Sequence, residues 1–298
     1  MRDRRRRMRG LAISAAALSI AMAGAGWTVS AQGQPPARGQ GGPAPAAPAP
    51  APAQGAGRGR GQAPQTPQAQ APIDLTGWWV SVVTEDWRWR MITPPKGDYS
   101  SLPISTEGRR VADTWDPAKD EKEGNACRAY GAAAIMRVPG RLHITWQDES
   151  TLKIDTDAGT QTRLLHFGDA SSPSAVPGWQ GYSAATWEIA GGARGGGGGG
   201  AAGAGGRGGP PAPRFGSLKV VTNRLKPGYL RKNGVPYSEN TVVTEYFDRH
   251  TEANGDEWFT VTTLVDDSKY LNQTFITSSS FKQERDGAKW RATPCAAQ

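Results

Sequence analysis

Glu245 lies between Val243 and Phe247 at a spacing of two in a predicted strand. Alternate residues of a strand share a face, so this carboxylate belongs to an apolar face. A buried carboxylate needs a partner. It would serve as an acid or base with a raised pKa, as a polar anchor in a pocket, or as half of an ion pair with an arginine. Glu85, between Val83 and Trp87, follows the same logic. His143, His166 and His250 are the histidines of the chain, and three imidazoles make a zinc site when they converge. No HxH or HExxH spacing occurs, so the sequence predicts separate hydrogen-bonding histidines and no metal. Asp155-x-Asp157-x-Gly159 starts like a calcium loop, but a third acid is missing and His166 stands where the closing glutamate belongs. It reads as a hairpin turn.

Trp is abundant, with 11 in the chain and only Trp27 in the first 31 residues. Aromatic walls suit apolar ligands, and the predicted binding residues are Trp79, Trp87, Trp89, Glu245 and Phe247. The alternative is that these rings pack a core. No nucleophile elbow, phosphate loop, dinucleotide fingerprint or haem attachment motif is present, so no cofactor is predicted.

The elements that position these residues are overwhelmingly β. Leu75–Met91 reads as one long strand or a bent pair, with Trp79, Trp87 and Trp89 on one face. Further strands are predicted at 134–138, 142–147, 152–156, 161–167, 181–189, 217–223, 241–250, 257–265 and 271–278, with a last one at 281–284. One short helix is predicted near 106–115, capped by Ser105 and stopped by Pro117. Asn254-Gly255 marks a hairpin turn. Pairing Phe247 with Val261 sets Val243 opposite Val265, Glu245 opposite Thr263 and Arg249 opposite Phe259, which implies a loop of odd length. Many strands with short turns and no βαβ alternation predict an all-β fold, a single antiparallel barrel or strongly curved sheet.

The ends and loops differ in composition from this core. Residues 1–31 read as a signal peptide: a basic start, an apolar stretch too short for a membrane span, and Val29-Ser30-Ala31 as a cleavage site after Ala31. Residues 32–72 are a Pro/Ala/Gly-rich linker, and 191–214 form a Gly-rich loop inside one domain at 73–298. The formal charge is +8, but the leader and the arginines of the two low-complexity stretches supply all of the excess. The remainder is slightly acidic, which argues against nucleic acid as a partner. Export puts Cys127 and Cys295 in an oxidising compartment, where the pair is expected to form a disulfide.

The runs TRLLHF (162–167), WQGYSAATWE (179–188), SLKVVT (217–222), GYLRKNGVPYSENTVVTEYF (228–247) and WFTVTTLVDDSKYL (258–271) resemble a group of exported bacterial proteins from soil and aquatic bacteria. That resemblance spans 73–295 and implies export without implying an activity. Gly77-Trp78-Trp79 also resembles the Gly-x-Trp that opens the first strand of lipocalin-like barrels. It implies that Trp79 plugs one barrel end beneath an arginine of a late strand, with Arg285 as the candidate. The reading is a periplasmic or secreted barrel that binds a small apolar ligand in an aromatic-lined cavity, with no membrane span in the mature chain. The alternatives are an envelope scaffold or protein-interaction module with a structural aromatic core, or an enzyme using Glu245 or a histidine.

Overall fold

The computed structural model describes residues 65–168, 176–189 and 215–298. The leader at 1–31, residues 32–64 of the linker and the Gly-rich stretch at 191–214 lie outside the described residues. The strands are β1 (Gly77–Val82), β2 (Arg141–Asp148), β3 (Thr151–Thr156), β4 (Thr162–Phe167), β5 (Tyr182–Ile189), β6 (Gly216–Asn223), β7 (Gly228–Arg231), β8 (Val235–Tyr237), β9 (Val242–Thr251), β10 (Glu257–Asp266) and β11 (Phe275–Glu284). Nine of them close into a barrel in the order β1-β11-β10-β9-β6-β5-β4-β3-β2, and β7 pairs with β8 as a separate ribbon. Every neighbouring pair in the barrel is antiparallel except β4 and β5. An odd number of strands cannot alternate in direction around a closed ring. One parallel pair is therefore the geometric consequence of closing on nine, and it modifies the expected all-antiparallel layout.

The register argued from the hydrophobic pattern is the one observed. Phe247 faces Val261, Val243 faces Val265, Glu245 faces Thr263 and Arg249 faces Phe259. Pairing runs to Thr251 and Glu257, which leaves a five-residue loop at 252–256. β5 and β6 pair from Tyr182 with Asn223 to Ile189 with Gly216, so the Gly-rich stretch joins the two strands of a hairpin.

The helices are α1 (Pro67–Gln70), α2 (Trp87–Arg90), α3 (Thr106–Ala112) and α4 (Pro117–Lys122). α3 is the predicted helix, and Ser105 Oγ accepts the Gly108 amide as its cap. Pro117 begins α4 rather than merely ending α3: its fixed φ suits a first helical position, and the Asp116 carboxylate caps the turn. The long strand expected at 75–91 is β1 alone. Asp86 adopts φ 52°, a left-handed conformation that aspartate tolerates, and turns the chain into α2. Residues 134–138 form a 3-10 turn at Ile135–Arg137 rather than a strand, and the two segments expected at 271–284 are the single strand β11. Residues 65–72, linker by composition, pack on the barrel: Trp187 Nε1 donates to Pro67 O at 2.8 Å and Gln68 N to Glu149 O at 3.2 Å.

Inward residues at one end of the barrel are apolar. Trp79 is fully buried and meets the edge of Phe259, whose other neighbours are Phe247 and Phe281 at 6.0 and 4.8 Å between ring centroids. Trp79 Nε1 donates to Leu75 O at 2.9 Å, so the one polar atom of the ring is satisfied. The guanidinium over Trp79 belongs to Arg249, 5.8 Å from the ring; Arg285 is exposed. Farther along, the interior turns polar with Arg163, Glu245, Ser183 and Thr222. Around the barrel, 3-10 turns at Ala126–Tyr130 and Ile135–Arg137 join its apolar core. A second cluster binds α3 and the β7–β8 ribbon to Val243, Val265 and Phe275 of the barrel strands.

Candidate functional site

The predicted site residues do not come together. Trp79, Glu245 and Phe247 lie inside the barrel with no exposed surface. Trp87 is 63 % exposed on α2. Only Trp89 lines a cleft. The reason is the turn at Asp86: once the chain leaves the strand, alternation no longer puts residues 79, 87 and 89 on one face.

Glu245 has the arginine partner that one of its readings required. Arg163 donates to it through Nη2 at 2.6 Å and Nη1 at 3.1 Å, and both side chains are fully buried. Arg163 Nη2 also reaches Thr222 Oγ1 at 3.4 Å, and Thr222 hydrogen-bonds Ser183 at 2.7 Å. Both carboxylate oxygens are engaged in this bidentate pair, a structural anchor with none aimed at solvent, while Arg163 Nε is buried without a hydrogen-bond partner among the described residues. Glu85 also pairs with an arginine, Arg90.

The histidines are dispersed. His143 stacks on Trp78 at 3.7 Å, His166 on Tyr182 at 5.1 Å, and His250 sits beside Glu252. Burial pushes His143 below its ordinary pKa. Among the described residues no group of His, Cys, Asp and Glu is arranged to hold a metal ion. Asp157 is part of the β3–β4 turn, where its Oδ1 accepts the Arg141 amide at 2.6 Å.

The cleft that Trp89 lines has a volume of about 320 Å³, at the small end of the ~300–1,000 Å³ typical of ligand sites. Three segments build most of it: α2 with the residues after it, the 3-10 turns through Pro139, and β7 with its following turn, with Ala158 and Thr293 completing the lining. Their sequence positions bring Arg90, Arg137, Arg231 and Lys232 to one wall. Arg90 and Arg137 are held from behind by Glu85 and Asp86. Arg90 Nε also donates to Arg137 O at 2.9 Å, while its Nη2 is buried without a hydrogen-bond partner among the described residues. Arg231 is 5 % exposed and donates only to backbone carbonyls, Ser100 O at 3.0 Å and Asp98 O at 3.4 Å. Among the described residues neither Arg231 nor Lys232 has an ion-pair partner.

This positive charge is strained electrostatically. Burial lowers the Arg90 pKa, and Arg137 adds to the effect against the pull of Glu85. Burial, then Arg137, pushes Arg231 down to about 10. Rings flank the charges: Arg231 lies over Trp89 at 5.2 Å and Lys232 over Tyr130 at 4.9 Å. No carboxylate, imidazole or thiol lines the cleft. Guanidinium and ammonium groups beside flat apolar surface are chemically suited to an anion.

Sequence reasoning missed these cations because nothing local distinguishes them. Arg90 belongs to an alternating Trp-Arg-Trp-Arg run, Arg137 stands between Met136 and Val138, and Arg231 precedes a turn at Asn233-Gly234. The usable signal was basic residues set among apolar ones, and it does not reveal convergence.

The disulfide between Cys127 and Cys295 is formed as expected, with Cα atoms 5.0 Å apart. It fastens the C-terminal segment to the first 3-10 turn. Thr293 N donates to Asp157 O at 2.9 Å, and Thr293 and Ala158 line the cleft. Gly159, at φ +77°, lies against the Tyr130 ring, where a Cβ would stand 2.3 Å from a ring carbon. Only glycine fits that wall.

No family model, no curated protein and no solved structure matches the chain. Among the described residues no helix is long and apolar enough to cross a membrane.

Proposed function

We propose that the protein is an exported binding protein for a small organic anion, held in the arginine-lined cleft beside the barrel. The observation that carries this reading is the buried guanidinium wall: Arg90 with an unpartnered Nη2, and Arg231 with backbone acceptors alone. Arg231 is a buried charge with no ion-pair partner among the described residues, which is costly, and an anion in the cleft offsets that cost. The guanidinium fork suits a carboxylate, sulfonate or phosphate oxygen pair. Trp89, Met91 and Leu230 supply apolar lining for the body of the ligand. With no carboxylate, imidazole or thiol among the described residues at its wall, the cleft favours binding over catalysis. The leader-like segment and the disulfide support a periplasmic or secreted location.

A matched pair of fluorescent probes tests it. 1-Anilinonaphthalene-8-sulfonate and N-phenyl-1-naphthylamine share their rings and differ by the sulfonate. The sulfonate probe is expected to bind, and Arg231→Gln to weaken it roughly 10- to 100-fold, the effect of losing a charge-assisted hydrogen bond. Equal binding of the neutral probe, or sulfonate affinity unchanged in Arg231→Gln, would contradict the proposal.

A further inference from the structure

Tyr237 is fully buried, and its phenol oxygen has no hydrogen-bond partner among the described residues. Trp115, 9 % exposed, has an equally unpartnered Nε1. Both side chains line a second cleft of about 230 Å³. Successive stretches of the same segments line the two clefts. Gly228 and Tyr229 face the second, whereas Leu230 and Arg231 face the first. Arg128 likewise faces the second, while Ala129 and Tyr130 face the first.

The second cleft has a different chemical character. Asp120 is 3 % exposed, and its carboxylate accepts from Arg128 Nη1 at 2.7 Å and Tyr229 Oη at 2.8 Å. Arg128 Nη1 also reaches the Tyr229 oxygen at 3.0 Å. Acid and base therefore neutralise each other, and Tyr229 stays a neutral phenol with a pKa pushed up to about 12 by burial and by Asp120. Lys119 lies 3.9 Å from Glu123, and Asp116 is engaged in capping α4. The Tyr237 oxygen is set deep because Gly131 and Gly228 have no side chains: a Cβ on either would stand 2.2 or 2.6 Å from it. The wall is thus aromatic, with three acids against two bases. Two of its side chains carry buried donors, an indole N–H and a phenol O–H, with no acceptor among the described residues.

We infer that this cleft is a second binding site, for a neutral hydroxyl-rich ring such as a monosaccharide unit. Two desolvated donors call for ligand oxygens as acceptors. Aromatic walls suit the apolar face of a sugar ring, and the volume, below the ~300 Å³ of drug-sized sites, takes a single ring. The absence of uncompensated cations distinguishes it from the anion cleft. The inference does not rest on ligand binding there.

Saturation-transfer NMR on the leaderless chain, with D-glucose, D-galactose and N-acetyl-D-glucosamine as probes, tests it. At least one sugar is expected to show saturation of its ring protons. Tyr237→Phe and Trp115→Phe should each weaken that sugar roughly tenfold or more. Arg231→Gln should leave it unchanged. Tyr237→Phe removes one unpaired oxygen and keeps the ring, so its melting temperature should not fall, which separates lost binding from lost fold. Absence of transfer to all three sugars, or transfer that persists in both variants, overturns the site. Displacement of bound anilinonaphthalene sulfonate by the sugar overturns its independence.

Discussion

Replacing Glu245 with Gln leaves the Arg163 guanidinium charged, fully buried and without its counter-ion. The two bonds at 2.6 and 3.1 Å lose their charged acceptor: the Gln oxygen keeps one as a neutral bond, and its NH2 faces the other guanidinium donor. Removing one partner of a buried ion pair costs about 3–5 kcal/mol. For a folded unit of this size each kcal/mol moves the melting temperature by about 2–4 °C, so Glu245→Gln should melt about 6–20 °C lower. Differential scanning calorimetry with a reversibility check measures it. The double variant Arg163→Leu/Glu245→Leu separates charge from packing. It removes both desolvated charges and should recover most of the loss, because apolar replacement of a whole buried pair is often neutral or stabilising. A Glu245→Gln melting point within about 2 °C of the parent, the scale of a surface substitution, would refute the reasoning. So would a double variant no more stable than the single one.

Other consequences follow from the cleft and its staple. Cys127→Ser/Cys295→Ser opens a loop spanning 168 positions, for which chain entropy gives a loss of up to about 5 kcal/mol; thermal melts should show a large drop, and a drop of less than about 2 °C would contradict the role assigned to the bridge. Trp87→Ala should change stability by under about 0.5 kcal/mol and leave sulfonate-probe affinity intact, whereas Trp89→Ala should weaken the probe; fluorescence titration distinguishes the two, and equal effects would restore the shared-face reading. Anion affinity should be flat at neutral pH and fall as pH rises through about 10, where Arg231 loses its proton in the empty cleft. The sign for stability is opposite. The folded Arg231 pKa lies below its unfolded value, so the unfolded chain holds more protons above about 10, and this group's contribution to the stability of the empty protein rises with pH there.

The barrel was legible because hydrophobic alternation is a strong local signal. The Phe247–Val261 register could be derived from one apolar face, and it placed Glu245 inward. The disulfide was legible from cysteine count and the expectation of export. The segment after β1 was not, because Trp-Arg-Trp-Arg has strand periodicity and only the left-handed backbone at Asp86 breaks it. The partner of Glu245 could not be named, since pairing β4 with β5 in parallel is a closure property of the whole ring. The arginine wall was equally hidden. Arg90, Arg137 and Arg231 are far apart in the chain and meet only after the 3-10 turns and the β7–β8 ribbon fold against the barrel.

A crystal structure of the protein with 4-bromobenzoate, phased for the bromine position, decides whether the arginine wall holds an anion. The carboxylate is expected within hydrogen-bonding distance of Arg90 Nη2 and the Arg231 guanidinium, with the bromophenyl ring against Trp89. A bromine peak inside the barrel beside Phe247, or a carboxylate bound away from these two arginines, would contradict it.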